Sequence, residues 1–135
     1  MECSTHAIST FAGSLSFIKK VYPNVETDLV ESAKGVTFDE AFEKNYTLSD
    51  SGIAKIIKLR VPNSSQNKGK SAGFRVIYFI TKRTNLVVFL NIFSKVGKGG
   101  KDNVPKSEIK EYLETYKSEQ RSASLLKIDL TTFQF

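Results

Sequence analysis

Five basic residues in the middle of the chain have a spacing that would bring them onto one surface. Lys58 and Arg60 lie two residues apart in an apolar segment typical of a strand, where alternate residues point to the same face. Arg75 lies at the start of the next such segment, Lys70 lies in the loop before it, and Lys95 ends the third segment. Each residue alone is an ordinary surface cation, but an antiparallel meander of the three segments would make the five converge.

Converging cations of this kind are suited to the cleavage of RNA. RNA carries its own nucleophile, the 2′-hydroxyl, which can attack the adjacent phosphate. The reaction needs a proton acceptor, a proton donor for the departing 5′-oxygen and positive charge around the transition state. Clustered lysines lower one another's pKa, so one can act as the base while its neighbours stay charged. This chemistry requires no metal ion and no organic cofactor, and DNA would be inert to it.

The distribution of charge along the 135 residues also indicates a polyanionic partner. Residues 1–50 contain four basic and eight acidic side chains, and residues 102–135 contain five basic and six acidic ones. Residues 51–101 contain eleven basic side chains and no acidic one, so they account for the net charge of +6. A concentrated positive field favours nucleic acid as the partner, whereas the alternative interpretation is a solvated basic face.

Several other kinds of site are disfavoured by the residues present. The chain has one cysteine, Cys3, and one histidine, His6, which excludes an internal disulfide and argues against a transition-metal site or a Cys–His nucleophile pair. No nearby acid would orient His6, so we expect a structural role for it. The "GKS" at 69–71 is not a P-loop, because Ser64 occupies the position of the first glycine and a strand follows.

The acidic cluster in the first half of the chain does not indicate a cation site. The longest apolar run does not indicate a membrane span. Asp39, Glu40 and Glu43 are expected to form a solvated helix face. The run from Leu86 to Phe93 is too short to cross a bilayer, and no signal sequence opens the chain. We therefore expect a cytoplasmic protein with no membrane partner.

Hydrophobic periodicity predicts helices first, then strands, then a helix. Thr10 is expected to cap the first helix, and Gly35 is expected to end the second. The segment 125–135 alternates and is expected to add a strand or bind a partner. The predicted elements are a strand at 6–10, helices at 11–22 and 25–34, a helical turn at 38–42, a turn at 49–52, strands at 53–61, 74–81 and 86–94, and a helix at about 105–117.

This order predicts an α+β fold in which an N-terminal helical hairpin packs on a small antiparallel sheet and a C-terminal helix follows. The helices are expected to lie on one face of the sheet. The length fits a single domain, residues 1–135, with a core at about 5–117 and a C-terminal extension at 118–135.

The basic strands and their loop resemble a known family. The stretch "IIKLRVPNSSQNKGKSAGFRVIYFI", followed by "LVVFLNIFSK" and a helix near "KSEIKEYL", resembles the RelE/HigB toxins of bacterial type II toxin–antitoxin modules, in the RelE/ParE superfamily. The opening "STFAGSLSFIKKVYPNVETDL" also looks like the start of that family. The resemblance implies a RelE-like fold and an mRNA interferase, a ribosome-dependent endoribonuclease that blocks translation. The implied partners are the ribosome, mRNA and a cognate antitoxin with a helix-turn-helix DNA-binding domain.

The resemblance also implies roles for individual residues. Arg75 would stabilise the scissile phosphate, and Lys70 or Lys95 would transfer a proton. Tyr78 points to the opposite face from Arg75, which favours core packing over stacking on a base. The residues expected to bind RNA are Lys58, Arg60, Lys68, Lys98 and Lys101.

Two other functions remain open within the same superfamily. One is a ParE-like inhibitor of DNA gyrase, although inhibition of gyrase does not need the five cations together. The other is an inactive RNA-binding paralogue. It is supported by departures from the family pattern at Ala72 and Gly97 and by a longer connection after Lys95.

From the sequence, replacement of Arg75 tests the nuclease hypothesis most directly. Arg75→Ala should abolish growth arrest on induced expression while the protein stays folded, because the charge opposite the scissile phosphate is lost. Growth curves with a folding check measure this, and a fully toxic variant would show that the site is wrongly placed.

Overall fold

The structure, a computed structural model, describes residues 3–43, 47–66, 72–95 and 103–132. It has the α+β class that the sequence predicts. Among the described helices, none combines the length and the apolar character that crossing a bilayer requires. The elements in chain order are β1 (Ser4–Ala7), α1 (Ser9–Val21), α2 (Val25–Ala33), α3 (Phe38–Phe42), β2 (Thr47–Asp50), β3 (Ala54–Val61), β4 (Phe74–Thr81), β5 (Leu86–Ser94), α4 (Lys106–Arg121) and β6 (Leu126–Lys127).

The strands form one sheet in the order β2-β3-β4-β5-β1-β6. The predicted meander is confirmed, because β4 pairs antiparallel with both β3 and β5. The sheet is mostly antiparallel. The exception is β1, which pairs parallel with β5. The predicted alternating tail contributes β6, which pairs with β1 at the outer edge.

Helices cover both faces of the sheet, so the prediction that they lie on one face is wrong. Helices α1, α2 and α3 pack on the face that carries Val76 and Tyr78, together with the first core cluster. Helix α4 packs on the face that carries Ile77 and Phe79, together with a second cluster. Successive residues of β4 are apolar and point to opposite faces, so each face needs its own cover to exclude water.

Several predicted boundaries are also wrong. The first strand ends at Ala7, and α1 begins at Ser9 with Ile8 as its N-cap, so Thr10 lies inside the helix. The predicted turn at 49–52 begins too early, because β2 extends to Asp50. Helix α4 continues to Arg121, past the expected end at about 117. Its last turn is polar, so the apolar periodicity on which the prediction rests stops before the helix ends. The expected boundary of the C-terminal extension therefore falls within α4.

Gly73 joins the strand ends nearest the basic residues. Its carbonyl oxygen accepts a hydrogen bond from the Lys95 backbone N–H, with 3.0 Å between nitrogen and oxygen, just after β5. On its other side, a Cβ would overlap the carbonyl oxygen of Val61 at the end of β3 and lie 2.9 Å from the backbone nitrogen of Asn63. Only glycine allows this close approach, and Gly73 therefore fixes the ends of β3, β4 and β5 relative to one another.

We expect Gly73→Ala to lower the free energy of unfolding by more than about 3 kcal/mol, because the added methyl group meets backbone that cannot move aside. Gly13→Ala is the matched control. Gly13 is exposed in α1, and a Cβ added there would meet no neighbouring atom within 4 Å, so alanine should stabilise by about 0.5–1 kcal/mol. Urea unfolding of both variants measures the difference, and equal stability would refute the role of Gly73.

Candidate nucleic-acid interface

The strand register places three of the basic residues on the face that α4 covers. Ile57 and Val61 belong to the core on the α1–α3 side, so Lys58 and Arg60 point to the α4 side, as their spacing predicts. Arg60 lies directly opposite Arg75 on β4. We call Lys58, Arg60, Arg75 and Lys95 the basic cluster.

Arg75 is not accessible in this cluster. Its side chain has 0% exposure and is the largest fully buried side chain among the residues that the structure describes. One of its contacts is a hydrogen bond of 3.3 Å that Nη1 donates to the carbonyl oxygen of Phe74. The family resemblance implies that Arg75 stabilises the scissile phosphate, and its buried side chain does not reach the surface to contact a phosphate directly. Arg75 contributes positive charge from beneath the surface instead, since charges act over several ångströms in a protein interior.

The other three members of the basic cluster are partly exposed. Lys58 and Arg60 are half-buried on β3, and Lys95 is half-buried just after β5. The Lys95 backbone is tied to Gly73, so Lys95 lies at the same end of the sheet as the pair formed by Arg60 and Arg75. These three cations can contact a polyanion, whereas the predicted residues Lys68, Lys70, Lys98 and Lys101 lie outside the described residues.

A buried polar network on the same face was not predicted from the sequence. The Asn91 Nδ2 amide donates to the Tyr112 hydroxyl at 2.9 Å, and that hydroxyl donates to Glu108 Oε2 at 2.8 Å. The Asn91 Oδ1 accepts from the backbone N–H of Ile92 at 2.9 Å, where the register with β4 shifts. The available signal was a single Asn inside the apolar run of β5.

This network links α4 to the sheet close to the basic cluster. Asn91 lies opposite Ile77 on β4, and Ile77 lies opposite Lys58 on β3, so the three residues form one row across the sheet. The network brings the Glu108 carboxylate to a face on which the sequence predicted cations only. Carboxyl groups can serve as general acids or bases, so Glu108 adds a second kind of group for acid–base chemistry.

Tyr112 itself is a neutral donor over the physiological range. Burial, as the largest cause, raises the pKa of Tyr112 from 10.0 to about 12, and the neighbouring Glu108 carboxylate acts in the same direction. The hydroxyl therefore keeps its proton and can stabilise the carboxylate without competing as a base.

The residues for which the sequence predicts no catalytic role lie away from the basic cluster. His6 is on β1 opposite Lys127 of β6, and burial, followed by the charge of Lys127, lowers the pKa of His6. Glu40 completes a capping box with Thr37 at the start of α3. Tyr78 packs in the core with 3% exposure, as expected for its side of the strand. Among the described residues, no group of three His, Cys, Asp or Glu side chains could hold a metal ion.

Comparison with known proteins adds no relative. No protein-family model, no curated protein and no solved structure matches this chain. The resemblance to RelE/HigB toxins therefore remains an interpretation of the motif residues.

Tyr112→Phe tests the polar network. The variant removes the acceptor of the buried Asn91 amide, so we expect a loss of about 1–3 kcal/mol in the free energy of unfolding at pH 7. Chemical denaturation measures this loss. Tyr22→Phe, in the core cluster on the other face, is the control for the same substitution at another buried tyrosine.

The same variant has a signature at alkaline pH. Between pH 10 and 12 the Tyr112 hydroxyl is ionised to a larger extent in the unfolded chain than in the folded chain, because burial raises its pKa in the folded protein. The stability of the wild type should therefore fall as pH rises, with at most about 1.4 kcal/mol per pH unit arising from this residue. Tyr112→Phe should fall less steeply than both the wild type and Tyr22→Phe, and three parallel curves would contradict the raised pKa.

Proposed function

We propose that the protein is an mRNA endoribonuclease of the RelE/HigB type, the toxin of a type II toxin–antitoxin module. The observation that carries the proposal is the strand register, which gathers Lys58, Arg60 and Arg75 on one face. Lys95 joins them at the end where β3, β4 and β5 are tied together. The proposal includes the partners and location that the resemblance implies, namely the ribosome, mRNA and a cognate helix-turn-helix antitoxin in the cytoplasm.

In this proposal the accessible cations bind the RNA backbone and stabilise the charge that develops during cleavage. The 2′-oxygen forms a bond to the adjacent phosphorus, the bond from phosphorus to the 5′-oxygen breaks, and a cyclic phosphate remains. The proton of the 2′-hydroxyl goes to a base, and the departing 5′-oxygen receives a proton. Lys58 and Arg60 contact the phosphates, Lys95 or Lys70 transfers a proton, and Arg75 adds positive charge from the interior.

The burial of Arg75 favours a second candidate function, RNA binding without cleavage. A guanidinium with 0% exposure cannot form the hydrogen bonds that a pentavalent phosphate would need from it. The half-buried Lys58, Arg60 and Lys95 could still bind the RNA backbone, because phosphate contacts need only accessible positive charge.

Primer extension after induced expression in a bacterium distinguishes these functions. It should be performed on a translated messenger and on the same messenger without its start codon. New 5′ ends on the translated messenger alone support ribosome-dependent cleavage. Growth arrest with DNA damage and no new RNA ends would indicate gyrase inhibition. RNA crosslinking without new ends would indicate the non-cleaving function.

The burial of Arg75 also changes the choice of test substitution. Arg75→Ala would leave an internal cavity, so loss of activity could reflect loss of folding. Lys58→Gln and Arg60→Gln remove partly exposed charges and should lower the rate of messenger cleavage about tenfold to a hundredfold each. The thermal midpoint should move by less than about 3 °C, since partly exposed charges contribute little to stability.

Lys110→Gln is the matched control, because Lys110 is an exposed lysine of α4 next to the buried-face residue Ile109. Its cleavage rate should stay within about twofold of the wild type. Equal losses in all three variants would mean that total charge, rather than the basic cluster, determines activity.

A further inference from the structure

A cavity of about 120 Å³ lies on the opposite side of the sheet from the basic cluster. Its floor crosses four neighbouring strands, with Leu59 on β3, Tyr78 on β4, Phe89 on β5 and Thr5 on β1. Its roof is the end of α2, the connection to α3 and the first turn of α3. The cavity therefore lies between the sheet and the short third helix, and it opens to solvent beside the exposed residues Cys3 and Leu130.

Tyr78 maintains this space. Its ring stands on the sheet, and its hydroxyl donates a hydrogen bond of 2.6 Å to the carbonyl oxygen of Ala41 in α3. The helix backbone is therefore held at about the length of a tyrosine side chain from β4. Roof residues Ala33 and Ala41 are too small to fill the gap, so the space stays open rather than being packed by the protein.

The lining determines the chemistry that the cavity accepts. Among the described residues that form the wall, none carries a formal charge at neutral pH, and most of the surface is hydrocarbon or aromatic. The hydroxyl of Tyr78 is already engaged by Ala41. An ion or a sugar would exchange its full hydration for contact with only a few wall hydroxyl groups, those of Thr5, Ser32 and Thr37, whereas an apolar molecule would gain from leaving water.

The size and shape of the cavity restrict the class of ligand further. An apolar protein cavity of about 150 Å³ is large enough to bind benzene, so the volume here matches one small ring. The rings of Tyr78 and Phe89 lie 6.0 Å apart, tilted by 58°, and Phe38 lines the opposite wall. Aromatic walls favour a ring that can adopt offset or edge-to-face contacts. We propose that this cavity is a binding site for a small, neutral molecule with a single aromatic ring.

Toluene is the probe for this proposal, and its binding can be followed by amide chemical shifts on the intact chain. We expect saturable shifts that centre on α3 and the floor strands, with a Kd of roughly 0.1–1 mM. The thermal midpoint should rise by about 3–4 °C at a toluene concentration near five times the Kd. Shifts that grow linearly without saturation, or that scatter over the surface, would overturn the proposal.

Filling the cavity should remove the binding. Ala33→Leu places three extra carbon atoms into the roof and should weaken toluene binding at least about tenfold. Ser16→Leu adds the same side chain on the exposed surface of α1, outside the cavity wall, and should bind within about twofold of the wild type. Wild-type affinity in a folded Ala33→Leu protein would show that toluene binds elsewhere.

Cys3 provides an independent measurement if a filled variant does not fold. It is the single cysteine of the chain, is exposed, and forms part of the cavity wall. In thiol exchange with equal amounts of 2-phenylethanethiol and 2-mercaptoethanol disulfides, the phenyl adduct should exceed the hydroxyethyl adduct at least about fivefold on the native protein. The ratio should approach one in 8 M urea, and a native ratio near one would contradict the proposal.

The test is separate from the proposed nuclease activity. Lys58 precedes the cavity residue Leu59 in β3 and points to the opposite face of the sheet, away from the cavity. Lys58→Gln should therefore bind toluene like the wild type, whether or not it cleaves RNA. Loss of toluene binding in that variant would argue against a site confined to the α1–α3 side.

Discussion

The burial of both faces of β4 and β5 is the constraint on which the rest of the structure depends. The apolar residues of these strands divide between the two core clusters, and they alternate between them except at the register shift in β5. Two helical layers are then required, because a single layer would leave one apolar face in water. The N-terminal helices provide one cover and α4 provides the other. The basic cluster lies on the face that α4 covers, on β3, on the start of β4 and just after the end of β5.

The burial of both faces determines how much of each basic side chain is exposed to solvent. Arg75 lies on β4, which has a neighbouring strand on each side and a helical layer on each face, and its side chain is withdrawn from solvent completely. Lys58 and Arg60 on β3, and Lys95 just after β5, keep partial exposure. A surface that recognises phosphate would therefore combine accessible cations with positive charge beneath them. Glu108, whose carboxylate accepts a hydrogen bond from the Tyr112 hydroxyl, adds an acidic side chain to the same face.

The two faces of the sheet consequently differ in chemistry. The α4 side carries cations and a polar network, whereas the α1–α3 side carries an uncharged cavity behind the same strands. Leu59 separates Lys58 from Arg60 in sequence but points to the cavity. Strand alternation thus allows one eight-residue segment to carry cations of the basic cluster on one side and to line the apolar cavity on the other.

The sequence by itself determined the local elements and the side to which each strand residue points. Periods of 3.6 and 2 residues depend only on neighbouring side chains, so the hairpin helices, β4, β5 and the shared face of Lys58 and Arg60 were predictable. Gly35, with φ +72°, was likewise predictable as a helix end, because few other residues adopt that conformation.

Only the tertiary structure decided how deeply each residue lies and which distant residues meet. The parallel pairing of β1 with β5 and the docking of α4 on the second face join segments far apart in sequence. No local pattern records such contacts, because the free energy that selects them comes from apolar surface buried between segments. The burial of Arg75, the contact of Asn91 with Tyr112 and the cavity under α3 all follow from that packing.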